Sequence, residues 1–182
     1  GVNEELIPSN PVHYDANVNS KFHEATPVFT KDGNTMYFTR NNYLDGKKGK
    51  DANKVMLLKI YKATLVNNRW TNVTELPFNS NNFSTAHPAL SPDEQTLYFV
   101  SDRPGTIGQS DLYKVAINSN GTYGEPINLG VEINTEGRET FPFVTKDNQL
   151  YFASDGHPGL GGLDVFTTKI NNDGSFGEVE ND

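Results

Sequence analysis

The polar residues most regularly placed in this sequence are Asp102, Arg103 and Asp111 in one stretch and Asp155 and Asp164 in another. Carboxylates gathered at one point could carry general acid–base chemistry or hold a hard cation. They could equally accept hydrogen bonds from loop amides and strand ends. Recurrence at the same place in successive segments favours the second use, because an active site is normally used once. The histidines, His13, His23, His87 and His157, show no metal-ligand spacing. His87 aligns with Thr26 and Phe141 and so stands outside the repeating rule; each histidine reads as satisfied or solvated. The glycines of GHPGLGG (156–162) suggest a phosphate cradle, but a strand rather than a helix N-terminus follows them. TKDGNTMYF (30–38) has some look of an Asp-box, with its glycine one place early and the tryptophan missing. The chain has no cysteine, so it offers no disulfide, thiolate ligand or cysteine nucleophile. No Ser-His-Asp order can be assembled. No catalytic, cofactor-binding or metal-binding residue is therefore assigned.

The elements that position these residues repeat. TPVFTKDGNTMYFTR (26–40), HPALSPDEQTLYFVSDR (87–103) and FPFVTKDNQLYFASDG (141–156) align. Each has a proline, a short apolar stretch, a polar turn and an apolar–Tyr–Phe triplet. Pro27, Pro88 and Pro142 mark periods of 61 and 54 residues. Downstream, SDLYKVAI (110–117) matches GLDVFTTKI (162–170), and KIYKATL (59–65) fits less well. Asp, Asn, Gly and Pro at 31–34, 91–94 and 146–148 are tight-turn chemistry. Asn-Gly at 120–121 and Asp-Gly at 173–174 are hairpin signals. No sustained helical period occurs, so each repeat reads as about four strands. The ambiguous run 56–65 takes the place of a strand.

Four-stranded units at such periods predict an all-β fold, a β-propeller of four-stranded antiparallel blades. One small sheet cannot cover both its faces, whereas stacked blades cover one another. About three blades are expected: a preceding tail and connector at 1–20, repeat one at 21–80, repeat two at 81–135 and an incomplete repeat three at 136–182. The net charge of −8 argues against a nucleic-acid backbone binder and a polybasic membrane surface. An aromatic fraction of 11% supplies a core despite only 35% hydrophobic residues. No run approaches the ~18 apolar residues of a membrane span.

HPALSPDEQTLYFVSDRPGTIGQSDLYKV and FPFVTKDNQLYFASDGHPGLGGLDVFTTKI resemble the WD40-like Pro-Asp repeats of TolB-like propellers. They look most like the version in OmpA-family outer-membrane proteins of Bacteroidota. The features carrying the resemblance are the S-D-R/G-x-G loop, the G-G-x-D-[VIL]-[FY] strand start and the LG…INT connector, and they span about residues 20–180. The resemblance implies a six-bladed propeller in the periplasm, associated with the outer membrane. It implies a protein-interaction scaffold rather than an enzyme, and no cofactor. Some similar proteins are PorE-like, peptidoglycan-associated components of type IX secretion and gliding machinery, paired with PorP/SprF-type outer-membrane proteins. Peptidoglycan would be reached through a C-terminal domain that these residues do not contain. The alternative is the propeller of a hydrolase, glycan-acting or prolyl-oligopeptidase-like, with its catalytic residues outside these segments.

The first repeat departs from the pattern. Asn41 and Asn42 replace Asp102 and Arg103, and Lys59 replaces Asp111 and Asp164. Between them lies the insertion NNYLDGKKGKDANK (41–54), locally positive in an acidic chain. It reads either as a solvated loop or as a docking loop for an acidic partner surface. In the second case Lys47, Lys48 and Lys50 supply charge and Tyr43 and Leu44 the apolar anchors.

Overall fold

The structure is a computed structural model that describes residues 27–44 and 55–182. Twelve strands and no helix occur among these residues. They form three four-stranded antiparallel sheets, each a meander in chain order. The first contains β1 (Val28–Phe29), β2 (Thr35–Leu44), β3 (Val55–Val66) and β4 (Arg69–Glu75). The second contains β5 (Thr85–Leu90), β6 (Thr96–Ser101), β7 (Asp111–Ala116) and β8 (Ile127–Asn128). The third contains β9 (Glu139–Val144), β10 (Gln149–Ser154), β11 (Asp164–Lys169) and β12 (Glu180–Asn181). The chain divides into two compact units at Ala86/His87, the second of which holds the third sheet and most of the second.

The expected strands form for the expected reasons. The ambiguous run 56–65 is strand throughout, paired with β2 from Thr35↔Thr64 to Leu44↔Val55. The turns before β2, β6 and β10 each need one left-handed residue, and Gly33, Glu94 and Asn148 supply it at φ 73°, 60° and 59°. In the first two, a carboxylate fixes the turn. Asp32 accepts from the Asn34 amide and the Thr30 hydroxyl, and Asp93 from the Gln95 amide and the Ser91 hydroxyl. The Asn-Gly and Asp-Gly turns place Gly121 and Gly174 at φ 87° and 86°.

Two expectations shift. Residues 41–44 of the insertion are not loop: they continue β2, with Asn41↔Leu58 and Tyr43↔Met56 as partners. The long first hairpin extends the ladder because nothing in 41–44 or 55–58 breaks strand pairing. Lys47, Lys48 and Lys50 lie outside the described residues, as does the tail at 1–20. The third repeat, expected to stop where its last strand should run, does carry that strand. β12 pairs through Phe166↔Asn181 and Thr167↔Glu180 and is as short as β8.

Each sheet has the same centre. The phenylalanine of the Tyr-Phe pair stacks on the ring opposite it on the next strand. Phe38 lies 5.8 Å from Tyr61, Phe99 5.8 Å from Tyr113 and Phe152 6.0 Å from Phe166, centroid to centroid. Phe38, Phe99 and Phe152 are fully buried, each worth about 2–3 kcal/mol of transfer free energy.

Candidate functional site

The patterned carboxylates sit at the loop between the second and third strands of a sheet. Asp111, fully buried, accepts from the Ile107 amide at 2.6 Å, the Gly108 amide at 3.3 Å and the Asn128 side chain at 2.7 Å. Asp164 accepts from the Gly161 amide at 3.2 Å. Asp155 grips Arg138 twice, taking the backbone N–H at 2.6 Å and Nε at 3.0 Å. That backbone N–H, more than the guanidinium, holds the Asp155 carboxyl below the usual carboxylate range. Asp102 is exposed. The five residues do not converge on one point. Among the described residues no group of three or more His, Asp or Glu is placed to hold a metal ion.

Arg103 has a different use. Its guanidinium carbon lies 5.1 Å and 5.3 Å from the centroids of the Phe99 and Tyr113 rings, and its Nε donates to the Ser101 hydroxyl at 3.0 Å. In the first sheet Arg40 covers the corresponding Phe38 and Tyr61 rings. In the third, the imidazole of His157 covers Phe152 and Phe166, with its Nε2 2.6 Å from the Ile133 carbonyl. A cation or imidazole therefore lids every stacked pair, an arrangement favoured by the negative ring face. Sequence reasoning missed this because the lids lie two, four and five residues after their phenylalanines.

Asparagines clamp the connectors. Asn79 accepts from the Ile60 amide and donates to its carbonyl. Asn134 does the same to Leu112, at 2.8 Å and 3.0 Å. Each side-chain amide thus stands in for a strand neighbour at equivalent positions of the third strand, Ile60 of β3 and Leu112 of β7. Glu139, fully buried, accepts from the Thr135 amide and hydroxyl and from the Ser154 hydroxyl. Where Lys59 replaces an aspartate, Asn81 at 2.6 Å and Glu75 at 3.1 Å satisfy it.

His87 is buried, and burial pushes its imidazole down to about 4. It packs on Phe141 at 4.6 Å between ring centroids. Both residues precede a proline and both adopt left-handed φ, 57° and 50°. The shared rule at this position is one of backbone, not residue type, so an alignment of residues did not show it. In β9 the register shifts at this point, a bulge opposite β10. Tyr43 and Leu44 stand on β2, and His13 and His23 lie outside the described residues.

Comparison with solved structures places this arrangement. A protein described as TolB from Agrobacterium tumefaciens superposes with a TM-score of 0.53 at 20% identity, over 84% of this chain and 46% of that one. The fold is that of a β-propeller. The chain spans about half the length of that TolB structure. A puromycin-hydrolysing peptidase from Mycobacterium tuberculosis also aligns, with a TM-score of 0.47 at 15% identity, over 85% of this chain and 22% of that one. No family model and no curated protein matches the sequence.

Proposed function

We propose that this propeller segment is a non-catalytic scaffold that presents its loops to a protein partner. We place it in the periplasm as part of an outer-membrane-associated, peptidoglycan-tethered protein of OmpA type. Its partner would be a PorP/SprF-type outer-membrane protein in secretion or gliding machinery, as the repeat resemblance implies. The observation that supports a scaffold is the fate of the patterned carboxylates. Three of them, Asp111, Asp155 and Asp164, accept backbone N–H groups, as does Glu139 outside the pattern, which is how a rigid loop is held and not how a reactive group is left poised. Preformed loops bind with little ordering entropy to offset.

The test is capture from a native bacterial envelope with the full-length protein, beside a form lacking residues 45–54. The scaffold reading expects one outer-membrane protein to be recovered by the intact form. Loss on deletion assigns the contact to the lysine-bearing loop, and retention assigns it to the other loops. Absence of any stable envelope partner would overturn the reading and favour a hydrolase.

A further inference from the structure

The turns between the third and fourth strands of the second and third sheets share one geometry and differ at one chemically reactive place. In the second sheet the Asn118 amide donates to the Thr122 carbonyl at 2.8 Å, and the Gly121 amide to the Asn118 carbonyl at 2.9 Å. In the third, the Asn171 amide donates to the Ser175 carbonyl at 2.8 Å, and the Gly174 amide to the Asn171 carbonyl at 2.9 Å. The side chains match as well. Asn120 Oδ1 accepts from the Thr122 amide at 3.1 Å and hydroxyl at 2.6 Å, and Asn118 Nδ2 donates to that hydroxyl at 2.9 Å. Asp173 Oδ1 accepts from the Ser175 amide at 2.9 Å and hydroxyl at 2.5 Å, and Asn171 Nδ2 donates to that hydroxyl at 3.0 Å. One turn carries an amide where the other carries a carboxylate.

Asn120-Gly121 is the single Asn-Gly pair in the sequence. Glycine has no Cβ to shield its backbone nitrogen. The site is also open: Asn120, Gly121 and Thr122 are exposed, and a Cβ on Gly121 would meet nothing within 4 Å. Such a pair can lose ammonia. The Gly121 nitrogen gives up its proton and bonds to Asn120 Cγ. The Cγ–Nδ2 bond breaks, and the side-chain nitrogen departs as ammonia with that proton. One water then opens the five-membered succinimide. Cleavage of the new Cγ–N bond gives aspartate. Cleavage of the backbone C–N bond gives isoaspartate, whose chain runs through Cγ. Nothing is oxidised or reduced.

The folded turn restrains both reacting groups. The Gly121 N–H is engaged by the Asn118 carbonyl, and the Asn120 side chain is tied to Thr122. The two products are not equivalent. Aspartate at 120 reproduces the turn of the third sheet, where the Ser175 hydroxyl and then its amide hold the Asp173 carboxyl below the usual carboxylate range. Isoaspartate lengthens the backbone inside the two hydrogen bonds that close the turn.

We propose that Asn120 is a site of spontaneous deamidation, released by opening of the 118–122 turn and guarded by Thr122. Each event adds one negative charge at the tip between β7 and β8. The proposal stands independently of the envelope scaffold.

The test is peptide mapping by mass spectrometry of the full chain held at neutral pH, folded and in urea, with isoaspartate read by isoaspartyl methyltransferase labelling. Conversion is expected at Asn120 ahead of every other asparagine. It should be slower in the folded chain than in urea by about ten-fold or more, since the reaction waits for local opening. Thr122→Val should raise the folded rate about five-fold, the effect of one lost hydrogen bond on an opening equilibrium, and leave the rate in urea unchanged. Thr122→Ser installs the residue of the third turn and should keep the parent's folded rate. No conversion at Asn120 in the folded chain over many half-lives of the reaction in urea overturns the proposal. So do equal rates folded and in urea, or a folded Thr122→Val rate equal to the parent's.

Discussion

At the scale of single residues, polar side chains replace missing backbone partners. Asn134 supplies both halves of a strand neighbour to Leu112. Asn134→Leu keeps the side-chain branching but removes both polar atoms and leaves the Leu112 amide buried without that acceptor, so a loss of about 2–3 kcal/mol is expected in a denaturant titration. His87 sets an acid limit. Its folded-state value of about 4 lies below the unfolded 6.5, so between these values the unfolded chain binds the proton and the folded chain does not. The stability is fully present above pH 6.5 and is lost as pH falls towards 4, by about 3 kcal/mol. His87→Phe installs the residue found at the equivalent Phe141, which adopts the same φ. Thermal melts of this variant should lose the pH slope in that window, and an unchanged slope would assign it to other groups. Recurrence of the carboxylates pointed in the sequence towards loop holding, and Asp111, Asp155 and Asp164 each accept a backbone N–H. The ring lids were not, because Arg40, Arg103 and His157 reach the same place from different sequence offsets.

At the scale of elements, the strands were legible because alternating Tyr-Phe runs bounded by turn residues leave little choice of conformation. Their lengths were less so. The ladder of β2 runs on through Leu44, although the repeat alignment treats residues 41–54 as an insertion, since strand pairing depends on the partner strand as well as on local residues. Turns carry a prediction with opposite signs at equivalent positions. Gly33 at φ 73° has open space around its Cα, so Gly33→Ala costs only the left-handed backbone penalty, about 1 kcal/mol. Glu94 holds the same conformation with a side chain. Glu94→Gly should therefore be neutral or stabilising by up to about 0.5 kcal/mol, once the added freedom of the unfolded chain is counted. Paired chemical denaturation of the two variants checks the contrast, and destabilisation of equal size at both would contradict it.

At the scale of the whole molecule, burial is uneven along the chain in a way the repeats alone did not display. Tyr98, Val100 and Leu112 of the second sheet are buried, whereas their counterparts in the third sheet, Tyr151, Ala153 and Val165, are half-buried or exposed. Amides of β6 and β7 should accordingly exchange with solvent more slowly than those of β11 and β12, by at least ten-fold. The function rests on the claim that the patterned carboxylates hold the blades while other surfaces bind. Envelope capture by the variant Asp111→Asn, Asp155→Asn, Asp164→Asn, performed below its melting temperature and set beside its melting curve, tests that claim most directly. The account predicts a lowered melting temperature with capture of the same partner retained. An unchanged melting temperature with capture abolished would contradict it, because the carboxylates would then be the site itself.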